Sequence, residues 1–534
     1  MKNLKKIFAA VMACALSLSA FAGCSGDGDG NGDGGYVSTD WMEKLLATDL
    51  DYGQDLTGDI ASTEDTLVVD LHTHMPTTDG TISATKIIAN EFYKETGIKI
   101  KYVSNKDLNG QDEEVSEWLI KRVNTETMPA ISFSWSRFTD RDYYMNLNDV
   151  MLIPNQFVEE GEEGSAAWKD MFPEYLWKQK EQVDANGNII AVPITLNAGS
   201  ATCWFYNKSI YEKFDLSVPQ NWSEFLDNAS KIKGTGIDSD GNTVNYTAIA
   251  PYGNEKSINA NNWVNTFSIG PSFAAYLMKN TDLDQNGDGS VSEAEELRGV
   301  RKGYFSPAED AQYRDVARDY YKACKDYYAN YLSEGWINTD WQTKWNQGAV
   351  GMINNGVWQF KNELNAEAVH ENWDFGMFPA PLADSSLSPY ALDFEMSDGP
   401  YQSTSSLYVN IMKDGIKGNK TVLKNTILFL QYLTTVDSVN LIIEEFGSEL
   451  GAVNNTTPNA KLTEYWLDQK FPVIPNCEWP DAFTVTQNSY LNANFSKWVK
   501  GEIDDSAFYA AVDTYQKAGA EEYIASLGLD TSQW

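Results

Sequence analysis

The chain has 534 residues, 42% of them hydrophobic, which is enough for two or three domains with sizeable cores and excludes a disordered chain. A formal charge of −36 excludes the basic surfaces that nucleic acid and anionic lipid require, so an uncharged or cationic ligand fits better. With 17 Trp and 28 Tyr, the chain is richer in aromatic rings than packing alone demands, which suits a protein that stacks rings on a ligand, although aromatic cores account for most of them.

Lys2, Lys5 and Lys6 precede an apolar run from Ile7 to Ala22, too short for a typical membrane span and flanked as an export signal is. Phe21-Ala22-Gly23-Cys24 then resembles the processing site of bacterial lipoproteins, which implies that residues 1–23 are removed and that Cys24 becomes the lipidated first residue. Ser25 to Gly35 is a Gly/Asp tether that cannot pack a core, and residues 24–64 read as tether and N-terminal extension. A lipidated cysteine attaches a protein to a membrane without spanning it. No later stretch is apolar for long enough to span one, so the folded chain is placed outside the cell, on the outer face of a cytoplasmic membrane of the Gram-positive kind. Cys203, Cys324 and Cys477 remain, an odd number without a disulfide or metal spacing, and are expected as buried free thiols.

The periodicity predicts a strand at Thr66–Leu71, a helix from Ser83 to Thr96 and a strand at Ile98–Val103, a βαβ unit that opens an α/β lobe. Ala130 to Phe133 is the next strand. The loop after it carries Trp135, Arg137 and Asp140, where side chains beyond the carboxyl ends of strands meet ligands. His72 and His74 end the first strand on one face, as a metal-dependent hydrolase site would require. Only His370 remains in the rest of the chain, too few for such an enzyme, so His74 is read instead as a hydrogen-bonding residue.

Thr202 to Tyr206 reads as a buried strand, followed by a short helix from Ser209 to Phe214. Val218-Pro219 then breaks the chain, and Asn221 or Ser223 caps a helix with Trp222, Phe225, Leu226, Ala229 and Ile232 on one face. Tyr206-Asn207-Lys208 followed by Pro219, Asn221-Trp222 and Glu224 resembles a signature of the extracellular solute-binding proteins of bacterial ABC importers, the class that includes maltose-binding protein. Gly187 to Pro193 upstream, Trp345 to Trp358 and Asp374 to Pro379 downstream resemble further elements of that family in the same order. The resemblance spans roughly residues 65 to 520.

It implies a two-lobed, periplasmic-binding-protein-like (type II) α/β fold with a hinge between discontinuous lobes. One lobe would comprise residues 65–198 and 377–447, the other 199–376 and 448–534. It also implies a carbohydrate ligand, permease subunits as partners, no nucleic acid and a monomer. In the element that resembles the family's sugar-stacking segment, Trp358 takes the stacking position. Trp135, Trp263 and Trp479 are further candidates for stacking, and Arg137, Asp140, Asn254 and His74 for hydrogen bonds to hydroxyls.

The segment Asp284 to Glu295 matches a twelve-residue EF-hand loop at every ligand position: Asp284, Asn286, Asp288, Ser290 through its carbonyl, Ser292, and Glu295 to close, with Gly289 at the sharp turn. It predicts one structural calcium ion within an insertion at 271–303. Asp238 to Asn242 and Asp184 to Gly187 lack the closing Glu and read as hairpin turns. Beyond the insertion, Ser306-Pro307 starts a predicted helix running to Leu332. Three other functions compete: a secreted carbohydrate-active enzyme, a non-transporting polysaccharide-binding surface lipoprotein, and a peptide-binding importer component. Against the first, no HExxH, nucleophile elbow or phosphate-cradling glycine loop occurs.

Overall fold

The computed structural model describes residues 61–71, 83–103, 118–119, 121–133, 143–179, 181–184, 187–198, 202–237, 243–250, 258–287, 289–330, 341–369, 374–398, 405–475, 477–532 and 534. The chain divides into two α/β units, each made of two pieces of sequence: 1–198 with 402–460, and 199–401 with 461–534.

Unit 1 is built on β1 (Thr66–Asp70), β2 (Lys99–Tyr102), β3 (Ile131–Ser132), β4 (Ala191–Pro193) and β13 (Tyr408–Ile411), in the order β2-β1-β3-β13-β4. β1 runs parallel to β2 and β3; β13 runs antiparallel to β3 and β4. Helix α1 (Ala84–Thr96) makes the crossover. Ser83 caps its start by accepting from the Lys86 N–H, and Gly97, at φ 74°, ends it by donating to the Tyr93 carbonyl at 2.7 Å, a left-handed stop that only glycine adopts without cost. Its Phe92 meets Phe429 and Tyr432 of α6 (Lys420–Leu433) at 5.2 and 5.5 Å, and α7 (Val436–Phe446) completes that layer. No single helix among the described residues is long and apolar enough to cross a membrane. A small ladder, β5 (Thr195–Asn197) with β14 (Glu449–Gly451), ties the second piece of this unit to the first.

Unit 2 is organised around β6 (Thr202–Asn207). β10 (Val350–Gly356) and β11 (Phe375–Pro379) flank it antiparallel, and β9 (Thr247–Ala250) lies parallel to β10 on the far side. Trp204 and Tyr206 share one face of β6, and the buried Trp204 packs on Phe225 of α2 (Trp222–Lys231) at 4.4 Å. Asn221 is the residue that caps α2: its carboxamide accepts from the Glu224 N–H at 2.9 Å while Glu224 accepts from the Gln220 N–H at 2.9 Å. A hairpin, β7 (Thr235–Ile237) with β8 (Thr243–Asn245), follows. Next come α3 (Gly270–Asn280), α4 (Glu293–Arg301) and α5 (Arg314–Asn330); β12 (Met396–Asp398) pairs with β15 (Lys470–Pro472), and the chain ends in α8 (Val485–Val499) and α9 (Asp505–Leu527).

Three sequence expectations are corrected. The second boundary falls after Tyr401 rather than 376, because β11 and the chain beyond it are bonded into unit 2: the Trp222 N–H donates to the Leu382 carbonyl and the Ala383 N–H to that of Ser268. The third falls after Ala460 rather than 447, because β14 pairs with β5. The helix expected from Pro307 begins at Arg314: the Ser306 hydroxyl donates to Asp513 of α9 and accepts from the Ala308 N–H at 3.2 Å, but residues 307–313 form turns and bends. Cys203, Cys324 and Cys477 are free and buried, and burial raises all three thiols, Cys477 to about 12.

Candidate functional site

In unit 1 the carboxyl ends of β1 and β3 bring Asp70 and Ser132 side by side, and the buried Ser132 hydroxyl donates to Asp70 Oδ2 at 2.9 Å. The chain leaving those ends holds His74, Trp135, Arg137 and Asp140. These lie outside the described residues, as do His72, Asn254, His370 and Cys24.

In unit 2 the structure brings two predicted residues together. β10 ends at Gly356, and two residues later Trp358 stands 45% exposed. Its ring meets that of the half-buried Trp263 at 5.4 Å between centroids, with the planes at 89°. The two indoles together put aromatic ring surface within reach of a ligand.

Asparagines hold Trp263 in place. Asn261 Nδ2 donates to Asn488 Oδ1 on α8 at 2.9 Å, the Ala260 N–H to Asn492 Oδ1 at 3.1 Å, and the Asn265 N–H to Asn262 Oδ1 at 2.9 Å. Asn488 in turn accepts from the Ala482 N–H and donates to Asp481, both at 2.8 Å. Residues 265–269 then take one turn of π-helix, a distortion often found beside functional sites. Sequence reasoning singled out Trp263 but missed the run Asn259-Ala260-Asn261-Asn262 around it, whose repetition of short amides was the available signal. It also missed Asn355, buried one residue before Gly356, whose side-chain oxygen accepts from the Gly356 N–H at 2.7 Å while its Nδ2 has no partner among the described residues. A buried amide nitrogen of that kind is normally met by a water or a ligand. The ensemble is flat apolar ring surface bordered by neutral amides. Such surroundings bind a neutral, ring-shaped polar molecule by covering its C–H face.

Trp479 is corrected from platform to core. It is 6% exposed, stacked on Tyr320 at 4.2 Å and edge-on to Phe305 at 5.2 Å, so its faces are already taken. Elsewhere on unit 2 a groove of ≈ 880 Å³ lies over the edge strand β11, lined by Tyr206, Asn221, Phe378, Asp393 and Gln469 among others, and by none of the predicted residues.

The loop before α4 is the segment expected to hold a cation. Gly289 sits at φ +83°, where the motif demands a glycine, and Asp284 accepts from the N–H groups of Gly287 and Gly289 at 2.7 and 3.0 Å. The buried Glu295 carboxylate spans the ring: Oε1 accepts from the Gln285 N–H at 2.6 Å and Oε2 from the Ser292 N–H and hydroxyl at 2.9 and 2.8 Å, so positions 2, 9 and 12 of the loop converge. The donor set is all oxygen. Asp288 lies outside the described residues, and no three His, Cys, Asp or Glu among the described residues form a metal cluster. Glu295 also completes a capping box with Ser292 at the start of α4, so one residue serves loop and helix. Before the loop, Asp282 accepts from Lys302 at 2.8 Å, from the Tyr304 hydroxyl and from the buried Arg298 at 2.9 Å, which together hold its carboxyl well below the usual range, Lys302 contributing most.

A family model for bacterial extracellular solute-binding proteins matches residues 88–466. Comparison with curated proteins by sequence finds no match. Among solved structures the fold is similar to a putative binding protein MsmE from Bacillus subtilis in an open conformation, with TM-score 0.52 and 13% identity over 86% of this chain and 98% of that one. It is similar too to the GacH receptor of Streptomyces glaucescens, studied unliganded and with acarbose, with TM-score 0.51 and 16% identity over 86% and 99%. RafE in complex with raffinose gives TM-score 0.51 and 17% identity over 85% and 99%. The fold, its two discontinuous α/β units and the family match agree: this chain belongs to the family of bacterial extracellular solute-binding proteins.

Proposed function

We propose that this protein is the substrate-binding lipoprotein of an ABC importer, held outside the cell through Cys24, which captures an oligosaccharide by hinge closure of its lobes and delivers it unchanged to membrane permease subunits. The observation that carries the reading is the exposed Trp358 set against Trp263 at the end of β10, bordered by amides. Indole faces cover the C–H faces of pyranoses while amides take the hydroxyls. The structures bound to raffinose and to acarbose belong to other proteins of this fold, and they favour a saccharide over a peptide. Calorimetry of the purified protein with raffinose, maltotriose, acarbose and chitin oligosaccharides, beside a soluble polysaccharide as control and with product analysis of each mixture, tests it. Tight binding of at least one without conversion is expected. Turnover of any of them points to an enzyme, and binding only of polysaccharide points to a non-transporting surface lipoprotein; either outcome overturns the proposal.

The same reading includes a structural calcium ion held by Asp284, Asn286, Asp288, Ser290, Ser292 and Glu295. Its support is the motif together with the turn at Gly289 and the closing position of Glu295 beside Gln285 and Ser292; bound there, the cation would neutralise the carboxylates of an acidic loop. Addition of calcium to chelator-treated protein is expected to raise the melting temperature, and Glu295→Gln to abolish the rise. An unchanged melting curve overturns the assignment.

A further inference from the structure

We propose that Gly356 is a positioning residue for the aromatic platform: its bare Cα is the floor on which the Trp358 indole lies, and the missing side chain sets the ring's orientation. The inference rests on the reading of Trp358 as the stacking surface. A Cβ placed on Gly356 would stand 2.1 Å from Trp358 Cε2, 2.2 Å from Cζ2 and 2.4 Å from Cδ2. Cδ2 and Cε2 form the bond shared by the two rings of the indole. No point outside the ring plane's edge comes this near to both of them, so the contact is face-on: the indole is laid flat over the glycine.

The backbone gives no other reason for glycine at this place. Gly356 has φ −77° and ψ 146°, extended geometry open to every residue, so the requirement is for space alone. A methyl group there would have to lift the ring by more than about 1 Å to reach an ordinary carbon–carbon separation of ~3.5 Å. Trp358 is the part able to give way, because it is 45% exposed and no burial locks it. Ring-over-glycine contacts recur in this unit: a Cβ on Gly376 would meet the Tyr206 ring at 2.2 Å, and one on Gly236 the Tyr246 ring at 1.9 Å. Gly376 and Tyr206 are cross-strand partners inside the sheet. At Gly356 the covered ring instead lies past the strand end, with Trp263 standing perpendicular to it. Floor and wall together define one orientation of the platform.

The test uses the full chain labelled with 5-fluorotryptophan and read by fluorine NMR, which needs no ligand. Trp358→Phe and Trp263→Phe identify the two resonances. Gly356→Ala is expected to shift both while the resonances of buried rings such as Trp204, Trp345 and Trp466 stay in place. It is also expected to weaken, at least tenfold, binding of whichever of raffinose, maltotriose or acarbose the unaltered protein takes up. An unmoved Trp358 resonance, movement of the buried rings as well, or a moved Trp358 resonance with affinity within twofold of the original each overturns the proposal. If neither these three nor a chitin oligosaccharide binds the unaltered protein, the carbohydrate reading fails by itself, and the fluorine spectra alone decide the role of Gly356.

Discussion

Two tryptophans that look alike in sequence part company once their neighbours are known. Trp358 presents its ring to solvent, whereas Trp479 is sandwiched among Tyr320, Phe305 and Tyr321. Trp358→Ala is therefore expected to weaken sugar binding tenfold or more in calorimetry while leaving the melting temperature nearly unchanged. Trp479→Ala empties a packed site and costs about 3–5 kcal/mol of stability, measured by denaturant titration. The thiols make a second prediction at this scale. Burial raises Cys203, Cys324 and Cys477, so little thiolate forms near neutral pH, and in a chain without Cys14 and Cys24 a disulfide reagent at pH 8 is expected to label none until denaturant is added. Cysteine count and spacing in the sequence excluded a disulfide framework; that all three are buried is a matter of packing against residues far away in the chain.

The best-explained element is α4 with the loop that leads into it. Arg298, 2% exposed, donates to the Asp282 carboxylate, Lys302 and Tyr304 donate to the same group, and Arg301 grips Glu521 of α9 with two bonds of 2.6 Å. Asp282 is held below its ordinary value of 3.8 in the folded state, so its contribution to stability is complete above about pH 4 and is lost as pH falls through the lower folded value. Urea midpoints of the natural protein and of Asp282→Asn between about pH 3 and 7 check this. The gap between them is expected to be widest near neutrality and to narrow as pH falls below about 4; a constant gap would show that the carboxylate's charge is not what matters. The turn at Gly289 and the pairing of Ser292 with Glu295 at the start of α4 were legible in the sequence, because both are set by near neighbours. The grip of Arg301 on Glu521 was not, since it depends on α9, more than two hundred residues away.

At the scale of the molecule, the β13 strand lies between β3 and β4 although it comes more than two hundred residues after either β1 or β3. A fragment of residues 61–198 lacks that strand as well as α6 and α7, which cover Phe92. It is expected to stay unfolded by circular dichroism and to gain structure when residues 402–460 are supplied as a second chain. Independent folding of the fragment would mean that the two-piece unit is not the cooperative one. The sequence by itself determined the class of fold, the order of the family's segments and the first βαβ unit. All of these are written in spacing along a few turns or strands, where physical preference acts between near neighbours. Tertiary structure alone decided where the chain changes units and which aromatic rings are exposed and which are core. Those outcomes depend on which distant surfaces meet, and hydrophobic burial rewards contact between any two such surfaces without leaving a mark in the local pattern of either.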